Sequence, residues 1–375
     1  MKIIIIGTVA SSFLGFRADL IKALLAKNYT VYAFTSEYIE EELSEIETLG
    51  AIPITYELNR GGINPFIDIK TTYELSKKIK EIVPDIVFCY FSKPVIFGAL
   101  AAKLAKVPKV VGMLEGLGYT FTEQPKATSK KTQLIKNVQV LLYKIALPQL
   151  DKIIFLNLDD PKDLLDEHSI KVKQVEVLGG IGLNLKDYPY SSAYPIQTTF
   201  IFIARLLAEK GIHDYIAAAK IVKAKYADSK FIVLGSIDKE ALGALTEAEL
   251  KEFAAANIVE YPGHVDNVQD WIAKSSVFVL PSYYREGVPR STQEAMAIGR
   301  AVITTNVPGC RETVIDGVNG FLVDKWNPQA LAEKMIYFIE HPEEIKKMGY
   351  ESYKIAKERF DTNEVSKKLL EMLVL

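Results

Sequence analysis

Seven residues separate two carboxylates, Glu286 and Glu294, within the stretch SYYREGVPRSTQEAMAIGRAVITTNVPGCRE. A carboxylate in such a place can accept hydrogen bonds from the vicinal hydroxyls of a ribose or a hexose. Between the two, Gly287 lets a ligand approach the backbone. Pro289 suits the first position of a helix, where its missing N–H would have no partner anyway. The spacing predicts a helix from Arg290 to Ile298 that stops at Gly299. The N–H groups of Val288, Arg290 and Ser291 would then face the same mouth, a setting that favours a phosphate or a sugar hydroxyl. Either glutamate alone reads as an ordinary helix charge, Glu294 on the surface and Glu286 favoured by the dipole. The constellation as a whole does not.

A second cluster follows the apolar run TTFIFIA, in RLLAEKG. Arg205 leaves a strand end, and Lys210 precedes a helix that starts near Gly211. A planar guanidinium and an ammonium five residues apart can clamp a diphosphate. Near the amino terminus, the loop GTVASSFLGFR offers Gly7, small side chains and Gly15, which leave room for a donor phosphate or an acceptor. Arg17 in that loop reads equally as a phosphate contact or as a surface arginine.

These residues need elements to position them. With 375 residues, 49% hydrophobic and 25% charged, the chain is long enough for two domains with cores of their own. A formal net charge of −2 argues against a general nucleic-acid binder. The two cysteines, Cys89 and Cys310, match no metal spacing and imply no disulfide framework. The run Ile3 to Ile6 is too short for a signal segment or a membrane span and reads as a buried strand.

Apolar runs that read as parallel strands recur at Lys2–Ile6, Thr30–Thr35, Ala51–Tyr56, Asp85–Tyr90, Lys109–Met113, Asp151–Leu156 and Gln174–Leu178. Helical patterns such as Leu14–Lys27, Ile67–Ile82 and Val95–Lys106 lie between them. LKDYPYSSAYPIQ, from Leu185 to Gln197, breaks the alternation and reads as an interdomain linker. The pattern then restarts at Thr198–Ala204, Phe231–Leu234, Ile258–Tyr261, Val277–Leu280, Ala301–Thr304 and Gly320–Val323. From Pro328 onward the chain reads as helices. The expectation is an α/β protein of two Rossmann-like domains, residues 1–190 and 191–357, with a last helix at about 358–375 packed back on the first. Two such domains facing across a cleft would line it with their strand-end loops.

EGVPRSTQEAMAIGRAVITTNVPGCRETV, preceded by ARLLAEKG, resembles glycosyltransferase family four, retaining enzymes of GT-B fold. The family's Glu-x7-Glu signature matches Glu286 and Glu294 in place. Arg300-Ala301 departs from it, since the family usually has Pro at the second position. The resemblance implies that Arg205 and Lys210 hold the donor's diphosphate and that Glu294 binds the ribose. Glu286 would meet the donor sugar, with the backbone from Gly287 through Val288 and Pro289 to Arg290 beside it. Val265 would lie where the family's backbone contacts a uracil. No metal or other cofactor is implied.

Many members carry His-Gly where this chain has Glu115-Gly116, so that histidine's role does not carry over. The chain is more similar to bacterial N-acetylhexosaminyltransferases that build lipid-linked oligosaccharides. They likewise have EGLG here and a lysine near Lys93. That likeness nominates Glu115 and Lys93 as polar groups at the reacting sugars, with a structural acid as the competing reading of Glu115. It further implies a UDP-sugar donor and a polyprenyl-diphosphate-linked saccharide acceptor, in capsule, O-antigen or glycan assembly. A nucleotide-sugar epimerase, a phosphorylase or a non-catalytic sugar-nucleotide-binding protein are the alternatives. The segment Tyr119–Lys152, with Lys126, Lys130, Lys131, Lys136, Lys144 and Lys152 among apolar residues, reads either as a core-packed helix or as a basic face for an anionic membrane. The expected location is cytoplasmic, on the inner face of the cell membrane.

Overall fold

The computed structural model describes residues 1–58, 65–125, 129–237 and 245–375. They form two compact units. The first contains Met1–Phe121, the chain from the Lys130–Ala146 helix to Gly182, and Thr362–Leu375. The second contains Leu183–Asp361 and the short stretch that begins at Thr122.

In the first unit the strands are β1 (Lys2–Ile6), β2 (Thr30–Thr35), β3 (Ile52–Thr55), β4 (Ile86–Tyr90), β5 (Lys109–Leu114), β6 (Lys152–Phe155) and β7 (Val175–Val177). They pair in parallel in the order β3-β2-β1-β4-β5-β6-β7. Ile3 to Ile6 are wholly buried, because helices cover both faces of a parallel sheet. In the second unit β8 (Thr199–Ile203), β9 (Lys230–Leu234), β10 (Glu260–Gly263), β11 (Val277–Leu280), β12 (Ala301–Thr305) and β13 (Gly320–Val323) follow the order β10-β9-β8-β11-β12-β13. Each order reverses beside the unit's first strand, between β1 and β4 and between β8 and β11. Loops leaving two such strands part in opposite directions and open a crevice at the carboxyl ends. Those loops carry much of the chemistry predicted from sequence, while Glu115 and Val265 follow β5 and β10.

Two local features differ from expectation. The helix read as Leu14–Lys27 begins at Ala10 and passes through one widened turn, Phe13–Arg17, before Ala18–Ala26. That turn buries both Phe13 and Arg17. The last helix is Thr362–Val374, and it packs against Ala18–Ala26 with Leu369, Leu370 and Leu373 buried. The stretch read as a linker is fixed to the second unit. Ser191 N–H donates to Ile298 O at 3.0 Å and the Tyr194 hydroxyl to Gly299 O at 2.9 Å.

Arg300, just before the departure from the family pattern at Ala301, is fully buried. It donates from Nε to Ile272 O and from Nη2 to Ala273 O, both at 3.1 Å, and so caps the Val268–Ala273 helix.

Gly211 has φ +82°, and a Cβ there would lie 2.0 Å from Pro281 O. Close approach of the β8 and β11 exit loops therefore requires glycine. Gly211→Ala should cost at least about 2 kcal/mol, read as a lower midpoint in denaturant unfolding. An unchanged midpoint would contradict this packing.

Candidate active site

The residues predicted to hold a donor sit on the second unit's strand-end loops. After β8, the turn Ala208–Lys210 presents the carbonyl of Glu209 to the loop after β11. It accepts from Tyr283 N–H at 2.8 Å, Tyr284 N–H at 3.0 Å and the Ser282 hydroxyl at 3.2 Å. The Thr305 hydroxyl at the end of β12 donates to Ser282 O. Gly309 lies against the same loop, where a Cβ would come within 2.5 Å of Glu286 O. Three strand-end loops thus fix the backbone that bears Glu286.

The Glu286 carboxylate accepts from the Lys210 ammonium and from the Ser282 hydroxyl, the latter at 3.2 Å. Their side chains are only 12% and 14% exposed for Glu286 and Lys210. Lys210 also lies over the Tyr284 ring, 4.9 Å from its centre. Two members of the predicted site that lie 76 positions apart in sequence are therefore an ion pair.

One step along, Pro289 is the residue before the helix, with ψ 124°, and Arg290 is the first helical residue. The expectation had Pro289 one place further in. An extended ψ keeps it outside, where its ring still directs the chain into the helix. Gln293 Nε2 donates to Val288 O at 3.2 Å, which fixes the entry. Gly287 and Val288 are buried beside it. Glu294 accepts from Arg290 Nε at 3.0 Å and from the Tyr188 hydroxyl at 2.9 Å. Burial pushes the Glu294 carboxyl up from its ordinary range, and Arg290 and Tyr188 pull it part of the way back. Burial, together with the adjacent carboxylate, pushes the Tyr188 phenol up to about 12, so it remains a donor.

Arg205 and Val265 share a cavity of about 220 Å³ at the carboxyl ends of β8, β9 and β10, with Ala204, Gly235, Ser236 and His264. Its size suits a single flat ring better than a larger ligand. Gly235, at φ +137°, is needed because a Cβ would meet Ala204 O at 1.9 Å.

In the first unit the predicted residues fall into two separate pairs. Glu115, just after β5, is paired with Arg17, whose side chain is 1% exposed. Arg17 is therefore neither a surface arginine nor an open phosphate contact. Its guanidinium stacks over the Tyr90 ring at 4.5 Å, and the Tyr90 hydroxyl meets that of Ser12 at 2.6 Å. Lys93 lies 3.8 Å from Asp68, and burial lowers the Lys93 ammonium from its usual value.

Gly7 has a packing reason that the sequence did not disclose. A Cβ there would come 2.3 Å from the Tyr90 hydroxyl. Its N–H donates to Phe34 O at 3.0 Å, and its carbonyl accepts from the Tyr56 hydroxyl at 2.6 Å. The backbone of Gly7 is thus engaged inside the unit rather than held open for a phosphate.

In the basic segment, Lys126 lies outside the described residues. Lys152 is buried in β6 and belongs to no helix face. The helix Lys130–Ala146 buries Val140, Tyr143 and Ala146, while Leu134, Leu141 and Ile145 are 64%, 56% and 50% exposed. It is apolar on two sides, so the core-packed and outward-facing readings both describe part of it. Among the described residues, no helix is long and apolar enough to cross a membrane.

Sequence reasoning missed Ser282, Gly309 and Tyr188. The first two sit beside recognisable signals, the strand end at Pro281 and the Pro308-Gly309 turn. Tyr188 lies in a stretch with no periodicity and left no signal.

The Lys210–Glu286 pair can be tested without any ligand. Lys210→Met and Glu286→Gln should each lower stability, and the double variant should lose less than their sum. A coupling of about 1–3 kcal/mol is expected from a double-mutant cycle of unfolding midpoints. Strict additivity would rule the pair out.

The sequence matches two family models. That described as glycosyl transferases group 1 covers residues 192–355, and that described as glycosyl transferase 4-like covers residues 2–157. The N,N'-diacetylbacillosaminyl-diphospho-undecaprenol alpha-1,3-N-acetylgalactosaminyltransferase of Campylobacter jejuni is 28% identical over 358 residues, which cover 91% of this chain and 90% of that enzyme. The UDP-Gal:alpha-D-GlcNAc-diphosphoundecaprenol alpha-1,3-galactosyltransferase of Escherichia coli is 27% identical over 269 residues, 68% of this chain and 67% of that one. The structure of Anabaena HepE in complex with UDP and glucose superposes with a TM-score of 0.76 at 17% identity, covering 100% of this chain and 99% of HepE. That last likeness is one of fold. With the repeated sheet order and the Glu286–Glu294 loop and helix, these matches place the chain in a family: it belongs to the GT-B glycosyltransferases, with a group 1 unit at its carboxyl side and a 4-like unit at its amino side.

Proposed function

We propose that this glycosyltransferase is a retaining enzyme that moves an N-acetylhexosamine or hexose from a UDP-sugar to a polyprenyl-diphosphate-linked saccharide. UDP-GalNAc and UDP-GlcNAc are the first donors to test. The observation that carries the reading is the Lys210–Glu286 pair at the mouth of the Arg290–Ile298 helix. It offers a cation for phosphate and a carboxylate for sugar hydroxyls within one contact. The names of the Campylobacter and Escherichia relatives, both of which act on undecaprenyl-diphosphate-linked sugars, support the acceptor class. The second relative is named for a UDP-sugar donor.

On this reading, negative charge grows on the departing diphosphate as the sugar acquires oxocarbenium character. Arg205, Lys210 and the N–H groups at the helix start stabilise that charge, and being fixed in advance they need little reorganisation. Glu286 would exchange Lys210 for a hydroxyl of the donor sugar, and Glu294 would take the ribose hydroxyls. Neither acts as a covalent nucleophile. The acceptor hydroxyl attacks on the face that UDP leaves, and the departing phosphate takes its proton. No metal is required, since the cations supply the counter-charge.

In the first unit, Glu115 and Lys93 are assigned to the acceptor, with Arg17 holding Glu115. A polyprenyl tail would sit in a bilayer. The outward face of the Lys130–Ala146 helix, with Leu134, Leu141 and Ile145 exposed among Lys130, Lys131 and Lys144, suits the anionic inner leaflet. This gives a peripheral enzyme of bacterial surface polysaccharide or glycan assembly.

UDP should raise the melting temperature more than GDP or ADP does. Arg205→Ala and Lys210→Ala should each lower kcat/KM for transfer by about 10²–10³-fold, and NMR of the product should show the donor's anomeric configuration retained. Undiminished transfer in both variants, or rapid conversion of the free donor without acceptor, would overturn the reading.

A further inference from the structure

A cavity of about 610 Å³ opens in the first unit, lined by none of the donor-side or acceptor-side residues assigned above. Tyr38 and Glu57 come from the loops that leave β2 and β3 at their carboxyl ends. Lys70, Glu74 and Lys78 come from the Pro65–Ile82 helix, four residues apart and so on one face. Lys78 Nζ donates to Thr55 O at 2.8 Å, which ties the helix to the end of β3. The volume lies within the range of small-molecule sites.

The lining states what it can hold. Two ammonium groups are balanced by two carboxylates, so a bare diphosphate gains no net attraction. Hydroxyl and amide groups would meet both donors and acceptors, and the exposed Tyr38 offers an aromatic face to the apolar side of a sugar ring. A neutral saccharide fits this set.

The cavity is also joined to the acceptor-side loops. The Tyr56 hydroxyl in its wall donates to Gly7 O at 2.6 Å, and the Ser36 hydroxyl donates to Thr8 O at 2.9 Å. Asp68, two residues before Lys70 on the same helix, holds Lys93 at 3.8 Å. A sugar seated here would lie against the framework that positions the loop after β1 and Lys93.

We propose that this cavity is a saccharide subsite that takes a sugar of the acceptor other than the one bearing the reacting hydroxyl. This rests on the reading of a lipid-linked saccharide acceptor. Tyr38 and Glu74 supply its ring platform and a hydroxyl acceptor, and Lys70 supplies a donor.

The test is saturation-transfer NMR on the full chain with N,N′-diacetylchitobiose as the probe. The native sequence should give acetyl-methyl signals, and a Tyr38→Ala/Glu74→Ala variant should weaken binding by about tenfold or more. Both side chains are exposed, and UDP binding by calorimetry should stay unchanged, which reports an intact fold. With a lipid-linked disaccharide, the same variant should raise the acceptor KM and leave the donor KM alone. Undiminished signals in the variant, no signal from a UDP-binding native protein, or an unchanged acceptor KM would overturn the subsite. If native protein transfers nothing while the probe still binds through Tyr38 and Glu74, the cavity is supported and only the transferase reading falls.

Discussion

The candidate site of the second unit depends on one carbonyl oxygen. Glu209 O accepts two N–H groups and a hydroxyl from the loop after β11. It holds together two backbone segments that a doubly wound sheet sends apart at its point of reversal. Without it, Lys210 and Glu286 would sit on independent loops, and their ion pair would bear the entropy of ordering both. With it, the side chains are placed by hydrogen-bonded backbone, and neighbouring glycines remove the Cβ atoms that would hold the loops apart. A polar site on loops is only as well defined as the backbone under it.

The first unit uses a different device. Its acid, Glu115, is fixed by a buried arginine from a widened helical turn, and the arginine by the Tyr90 ring. Tyr90 also accounts for Gly7, whose missing side chain admits the phenol. A buried pair of this kind is weak evidence of added stability, because desolvating both charges offsets much of their attraction. Its clearer effect is to fix orientation: the carboxylate keeps one direction because the guanidinium that meets it has almost no freedom.

Much of this was legible beforehand for physical reasons. Most of the thirteen strands among the described residues are apolar runs with both faces covered, so composition marked them, while Ile52–Thr55, Val175–Val177 and Glu260–Gly263 are only partly covered. The Glu286–Glu294 stretch was legible because a helix start imposes its own spacing. What sequence did not carry was pairing across distance. Nothing near Arg17 announces Glu115, and nothing near Lys210 announces Glu286. Gly7 was given a ligand-facing reason because a glycine after β1 can serve either purpose, and only the position of Tyr90 decides. Tyr188 lay hidden because aperiodic chain has no face to read, yet its hydroxyl reaches Glu294.

On the proposed function, the ion pair between Lys210 and Glu286 would also act as a filter. A ligand that draws the ammonium away must leave the mostly buried carboxylate satisfied, or the cost of stranding it is subtracted from binding. A bare phosphate or a nucleoside diphosphate would take the cation and leave Glu286 the Ser282 hydroxyl but no replacement for the ammonium. A nucleotide carrying a sugar brings the anion and the hydroxyls together and can replace both halves of the pair. On that reading, discrimination against spent nucleotide would follow from the resting state, as an exchange that a complete donor closes more fully.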